Sequence, residues 1–404
     1  MTAMSEKPRL LYLTPRLPFP PDKGDKIRSF HVLRHLCTKY RVSLGAFVDD
    51  KEDYPLCSQI AGMCERSFFR RRPKGIPPLQ ALKGAARGQA LSIAWYEDRQ
   101  MRRWVAAQRG EGLAAEVIFS SALVPYAEGA RAPVLIDLVD ADSAKWAAYG
   151  REGAWWRRPI YWHEAHRVAA MEARSLSLAA KVFAISPNEA AVITAGAGRP
   201  EGSADWFGNG IDPDEWSVEA LGAAPSAPAV ELIFTGRMNY PPNVEAVTQF
   251  ATKVWPDLRR AHPNLTWGIV GADPAPAVTA LARMPGITVT GRVADMRPYL
   301  AAATIAIAPL AIARGVQNKV LEAMAMERPV VASSGAAAGL PVRAGRDLLL
   351  ADSPDEWGSV LSRLLRHPEE RASLAQSGRR FVETSAGWPD QLARLDRRLE
   401  EVIK

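Results

Sequence analysis

Apolar and polar positions along the chain switch between two periods. Short apolar runs at Arg9–Thr14 and Val42–Val48 read as buried strands. Between them Ile27, Phe30, Leu33 and Cys37 recur near helical spacing, which predicts an amphipathic helix over Asp25–Tyr40. Further buried strands are predicted at Glu116–Ser120, Val134–Leu138 and Lys181–Ser186, with helices at Ser92–Gln108 and Tyr161–Leu178. Such alternation indicates βαβ units and a parallel sheet.

The pattern loosens at Gly196–Gly202 and Gly208-Asn209-Gly210, and again over the Ala/Pro/Ser-rich Gly222–Pro228. It restarts with strand Glu231–Thr235, helix Val244–Trp255 and strand Thr266–Val270; Val244, Val247, Phe250, Ala251 and Val254 form one apolar stripe. Helix Ala275–Arg283 and strands Ile287–Thr290 and Thr304–Ala308 follow, and Pro389–Lys404 reads as an amphipathic helix on Leu392, Leu395, Leu399 and Val402. A chain of 404 residues exceeds one ordinary core. The pattern therefore predicts two doubly wound α/β domains joined near residues 196–212.

Lys and Arg outnumber Asp and Glu by 51 to 44, a net charge of +7. That excess suits phosphates, a nucleic acid or an acidic membrane face, and equally a soluble protein with a mildly basic surface. Three cysteines without a CxxC pair argue against a disulfide framework and a structural zinc site, and fit reduced cytoplasmic thiols. The apolar run near the N-terminus is too short for a signal peptide, and Pro309 breaks the longest uncharged stretch, Pro298–Ala313. No membrane crossing is expected.

Within RGVQNKVLEAMAMERPVVAS, residues 314–333, Lys319 and Glu322 sit three apart on one helical face. Gly315 permits close approach of a ligand, and the helix N-terminus after it offers N–H groups to phosphate. Lys319 adds a charge, and Glu322 can accept from a ribose diol. An exposed salt pair would explain neither the glycine nor the following strand-like Val330-Val331-Ala332. Thr235-Gly236-Arg237 places a guanidinium at a strand's carboxyl end, so that Arg237 and Lys319 can clamp a diphosphate. Gly24, in Asp22-Lys23-Gly24-Asp25-Lys26, could cradle a charged group with Lys26 or Arg28 nearby, but the loop is neither a P-loop nor GxGxxG.

Asp137, Asp140 and Asp142 crowd the end of strand Val134–Leu138. Asp140 is a candidate acid/base or oxocarbenium stabiliser; a metal-binding DxD and a solvated or capping aspartate are the other readings. His163-Glu164-Ala165-His166 lacks metalloprotease spacing, since Arg167 stands where the second histidine belongs. Trp155, Trp156, Arg157 and Arg158 interleave aromatics with arginines as a membrane interface does, and Phe68-Phe69-Arg70-Arg71-Arg72 repeats the theme; aromatics packing on their own domain are the other reading. Base stacking would use the same residue types, but no nucleic-acid module accompanies them.

Gly236-Arg237, then Thr290-Gly291-Arg292-Val293-Ala294-Asp295-Met296-Arg297-Pro298-Tyr299-Leu300, then Lys319, Glu322-Ala323-Met324-Ala325 and Pro329-Val330-Val331-Ala332-Ser333 resemble, in that order, the retaining GT-B glycosyltransferases of glycosyltransferase family four. The stretch Thr14–Phe30 looks like the branch found beside exopolysaccharide and PEP-CTERM/exosortase genes. The resemblance implies two Rossmann-like domains facing across a cleft: an acceptor-binding domain over 1–203, a nucleotide-sugar-binding domain over 204–385, and a helix over 386–404 crossing back to the first. It implies a UDP- or GDP-sugar donor, a polyprenyl-linked or oligosaccharide acceptor, retention without a metal, no resident cofactor and no nucleic acid. By motif position Arg237 and Lys319 would hold the diphosphate, Glu322 the ribose, and Gly24 would lie near the donor phosphates. Arg314 stands where the family often has the first Glu of Glu-x7-Glu, and an arginine cannot accept from sugar hydroxyls. An anion, such as the carboxylate of a uronic-acid donor or an acceptor phosphate, would suit Arg314. Glu327 also replaces a usual glycine. The expected activity is a cytoplasmic glycosyltransferase, peripheral on the inner face of the membrane; a GT-B-fold epimerase and a non-catalytic scaffold are the alternatives.

Overall fold

The computed structural model describes residues 7–21, 24–72, 84, 86–222, 227–311 and 316–403. The chain divides into two compact units, Met1–Gly208 with Leu392–Lys404, and Asn209–Gln391.

Among the described residues the first unit has a seven-stranded parallel sheet. Its strands are β1 (Arg9–Thr14), β2 (Arg41–Val48), β3 (Arg66–Arg71), β4 (Ala115–Phe119), β5 (Val134–Val139), β6 (Lys181–Ala184) and β7 (Asp205–Trp206). They lie in the order β3-β2-β1-β4-β5-β6-β7, and β1 pairs with both β2 (Arg9↔Arg41) and β4 (Leu10↔Ala115). Leu10 to Leu13 are buried on both faces, as a parallel sheet covered by helices requires. The helix Gly24–Lys39 fills one face with Val32, Leu33 and Leu36.

Two expectations need correction here. The helix expected at Ser92–Gln108 is two helices, Leu91–Ala94 and Arg99–Gly110, because the Asp98 carboxylate caps the second by accepting from the N–H groups of Gln100 and Met101. For Phe68–Arg72 the membrane-interface reading gives way to packing on its own domain: Arg66–Arg71 is the edge strand β3, with Phe68 stacked on Trp104 at 5.7 Å. Charged side chains on an edge strand protect it from pairing with other chains.

The second unit has a six-stranded parallel sheet among the described residues, with β8 (Val230–Thr235), β9 (Trp267–Val270), β10 (Ile287–Val289), β11 (Ala303–Ala308), β12 (Val330–Ala332) and β13 (Leu349–Leu350). The order is β10-β9-β8-β11-β12-β13, so the winding reverses between β8 and β11. Ligands bind outside the carboxyl ends of strands at such a reversal. The core under β9 is aromatic: Phe250 meets Trp267 at 5.0 Å and Trp357 at 5.5 Å, both edge-on. The helix expected over Val244–Trp255 starts earlier, at Pro241, where proline suits a first turn, and ends at Lys253; a second helix, Trp255–Ala261, follows it. The helix Trp388–Val402 begins in the second unit and continues into the first. There Asp396 accepts from His35 Nε2 at 2.8 Å and Lys39 Nζ at 2.7 Å, and Arg398 donates to Asp205 at 2.6 Å.

Candidate functional site

In the second unit the loops after β8 and β9 lock together. Gly236 N–H donates to Val270 O at 3.1 Å and Met238 N–H to Ala272 O at 2.8 Å. Gly236 and Gly271 both have positive φ, +145° and +153°, and a Cβ on Gly271 would lie 1.7 Å from Gly236 O. Gly271 is therefore dictated by backbone approach, and Gly236 by its φ and by the side chains beside it. A Cβ on Gly236 would sit 2.8 Å from Asn243 Nδ2 and 3.2 Å from Lys319 Nζ, so the same glycine leaves room for the lysine.

Lys319 lies in the first turn of the helix Asn318–Ala325, next to β11 and β12. Its ammonium donates to Asn243 Oδ1 at 2.7 Å and sits 4.0 Å over the Phe234 ring. Asn243 in turn donates through Nδ2 to Arg237 O at 2.9 Å, tying Lys319 to the Gly-Arg turn. Burial pushes the Lys319 ammonium down to about 7 and the Glu322 carboxyl up to about 7, each shift held back by the other group's charge. Nothing among the described residues donates to the Glu322 carboxylate. The Gln317 side chain makes no capping bond to the helix N-terminus.

The Arg237 guanidinium is not free. It donates to Asp273 Oδ2 at 2.9 Å, and Arg292 reaches Asp273 Oδ1 at 3.5 Å. Both members of the Arg237–Asp273 pair are about 40% exposed, so an anion can compete for Arg237 at little cost. One carboxylate thus holds two arginines beside a desolvated lysine, an arrangement suited to a doubly charged phosphate chain. Arg314 and Gly315 lie outside the described residues. Sequence reasoning missed Asn243, Asp273 and Phe234. No sequence signal marks Asn243, whose burial at 6% exposure arises only in the fold.

In the first unit Gly24 opens the helix Gly24–Lys39, and a Cβ there would meet nothing within 4 Å. Lys26 and Arg28 do not flank a ligand loop as expected. Lys26 is buried against Asp53 at 2.6 Å, and Arg28 forms a bidentate pair with Asp137 at 2.7 and 3.0 Å while lying 3.7 Å over Phe207. These ion pairs brace the sheet.

Asp140 follows Val139, whose φ of +69° is strained for a β-branched residue, at a bulge in β5. Its Oδ1 is buried and meets no hydrogen-bond partner. Burial pushes its carboxyl up to about 7, with Glu189 and Asp142 adding to the shift. Asp142 accepts from Ser121 Oγ at 2.7 Å and sits in the first turn of the helix Asp142–Glu152. Among the described residues no group of His, Cys, Asp or Glu is placed to hold a metal ion. Glu164 serves the fold: it accepts from the N–H groups of Leu91 and Ser92. Trp155 is 79% and Trp156 58% exposed, on a 3-10 turn with Arg157 that leads into the helix Arg158–Leu178. No helix among the described residues is long and apolar enough to cross a membrane.

Two parallel-sheet Rossmann-like domains with C-terminal helices define the GT-B fold of glycosyltransferases. Residues 229–367, which include Arg237, Lys319 and Glu322, match the family model described as glycosyl transferases group 1. Sucrose-phosphate synthase from Thermosynechococcus elongatus is similar in structure, with TM-score 0.69, 16% identity, and 98% of this chain and 100% of that one covered. HepE of Anabaena in complex with UDP gives TM-score 0.65 at 16% identity over 97% and 100% of the two chains. WaaG, a glycosyltransferase involved in lipopolysaccharide biosynthesis, gives 0.63 at 14% identity over 97% and 99%. No curated protein matches the chain by sequence. The family match and the fold together support a glycosyltransferase.

Proposed function

We propose that this protein is a retaining, metal-independent glycosyltransferase of family four, moving a sugar from a UDP- or GDP-sugar to a polyprenyl-linked oligosaccharide in exopolysaccharide synthesis. The observation that carries the reading is the Lys319 ammonium, held by Asn243 and Phe234 at the carboxyl edge of the sheet beside Arg237 and Glu322. In this reading Arg237 leaves Asp273 for the diphosphate and Lys319 gains the negative partner that burial denies it. Glu322 accepts from the ribose hydroxyls. As the glycosidic bond to the diphosphate breaks, the two cations stabilise charge developing on the leaving oxygen. Asp140, in the acceptor-binding unit, acts on the acceptor. Trp155, Trp156, Arg157 and Arg158 rest on the cytoplasmic face of the membrane, where the lipid-linked acceptor is found. HepE, described in complex with UDP-glucose, supports a nucleotide-sugar donor.

The test is nucleotide release from a panel of UDP-, GDP- and ADP-sugars, with and without polyprenyl-linked acceptor, beside Glu322→Ala. Acceptor-dependent release from one donor, lost in the variant, is the expected result. Isomerisation of a donor without acceptor would replace the proposal with an epimerase; no binding across the panel would replace it with a scaffold.

A further inference from the structure

The first unit buries a cation that no described residue neutralises. Arg72 follows β3 at the carboxyl edge of the sheet, its N–H bonded to Val48 O at 2.8 Å, and the residue is 7% exposed. Its guanidinium lies 3.8 Å over the Tyr96 ring and 3.9 Å over the Trp95 ring. Both terminal nitrogens are buried without a hydrogen-bond acceptor, and so is the indole Nε1–H of Trp95. Asp49 favours the Arg72 charge through space but is itself paired with Arg16 at 3.3 Å, and Asp98 is paired with Arg70 at 2.7 Å. Burial pushes Arg72 down to about 10, which leaves it charged at neutral pH.

Aromatic faces soften the desolvation of a guanidinium but accept none of its hydrogen bonds in the plane. A buried charge with unmet donors is costly, and several unmet N–H groups in one place describe the complement of an oxyanion. We propose that Arg72 and Trp95 form an anion subsite that takes the phosphate or carboxylate group of the acceptor. The guanidinium fork matches either group bidentately, and the indole N–H supplies a further donor. A neutral hydroxyl would leave the charge unmatched. Trp95 is only partly buried and follows the short helix Leu91–Ala94, and the proposal requires its side chain to turn for an anion to reach the guanidinium. That the anion belongs to a sugar acceptor rests on the glycosyltransferase reading; that an anion binds does not.

The test is calorimetric titration of the full chain with inorganic phosphate, with D-glucuronate and with glucose, at constant ionic strength, and separately with UDP and with GDP. Saturable binding of phosphate or glucuronate, and not of glucose, is expected, and the tighter anion identifies a phosphorylated or a uronic acceptor. Arg72→Met should weaken it roughly tenfold or more, the loss expected for charge-assisted hydrogen bonds. Trp95→Phe keeps a ring against the guanidinium and removes only the N–H, so weaker binding there decides the matter if Arg72→Met fails to fold. UDP affinity should be the same in both variants. Absence of anion binding, or equal binding in wild type and Trp95→Phe and Arg72→Met, overturns the subsite. Anion binding that the variants weaken, in a protein that ignores UDP and GDP alike, upholds the subsite and sinks the glycosyltransferase reading instead.

Discussion

Asn243 Oδ1 accepts from Lys319 Nζ at 2.7 Å while Asn243 Nδ2 donates to Arg237 O at 2.9 Å, so one amide fixes both a cation and the turn that carries the other. Asn243→Ala should therefore raise the donor KM about tenfold, the cost of one hydrogen bond to a charged group. Asn243→Asp should keep Lys319 charged to higher pH yet weaken the donor, since its carboxylate repels a diphosphate. Steady-state kinetics against donor concentration checks both.

The Lys319–Glu322 pair predicts a pH profile. In the proposed reading Lys319 binds phosphate when protonated, a state that in the free protein is lost as pH rises through about 7. Glu322 accepts from hydroxyls when ionised, which is lost as pH falls through about 7. kcat/KM for the donor should then be a narrow bell centred near 7, with limbs that belong to the pair. Glu322→Gln should remove the acid limb and move the alkaline one to lower pH, since Lys319 loses the carboxylate that supports its charge. A flat profile between pH 6 and pH 8 would contradict this electrostatic picture.

The crowding at the two glycines sets a third expectation. Gly271→Ala would drive its Cβ into Gly236 O, and should cost about 3 kcal/mol of stability in chemical denaturation. Gly236→Ala meets side-chain atoms instead, so its loss should appear more in donor binding than in folding.

Asp140 carries its own stability signature. Its folded pKa of about 7 exceeds the ordinary 3.8, so between those values the folded state binds more protons than the unfolded one. Stability from this group is present at low pH and is lost as pH rises toward 7. Asp140→Asn, neutral throughout, should raise Tm at pH 8 and flatten the slope between pH 4 and pH 7. If Asp140 serves catalysis, the same variant loses kcat.

The exposed Trp155 and Trp156 predict attachment to anionic vesicles. Trp155→Ala with Trp156→Ala should reduce co-sedimentation with phosphatidylglycerol vesicles, and Arg157→Ala with Arg158→Ala should reduce it most at low salt. Equal sedimentation of all forms would remove the membrane from the proposal.

How much of this was legible in the sequence follows the physics of each element. The buried strands β1, β2, β5 and β8 announce themselves because both faces are apolar, and Lys319 and Glu322 because helical spacing makes them neighbours. The strand β3 hid behind its arginines, since an edge strand need bury only part of its length. The two-residue strands β7 and β13 are too short for any period. Lys26 and Arg28 look like loop cations in sequence; only their tertiary partners, Asp53 and Asp137, reveal them as core ion pairs. Asp273 and Asn243 are invisible for the same reason, because their roles arise from residues distant along the chain.

The helix Trp388–Val402 has a consequence for synthesis. The first unit is interrupted by the whole of the second, and its own closing element is translated after it. On the ribosome, Asp205, His35 and Lys39 must wait for Arg398 and Asp396 until the entire intervening unit has emerged. The order of translation thus makes the second unit the first that can be finished, and the amino-terminal one the last.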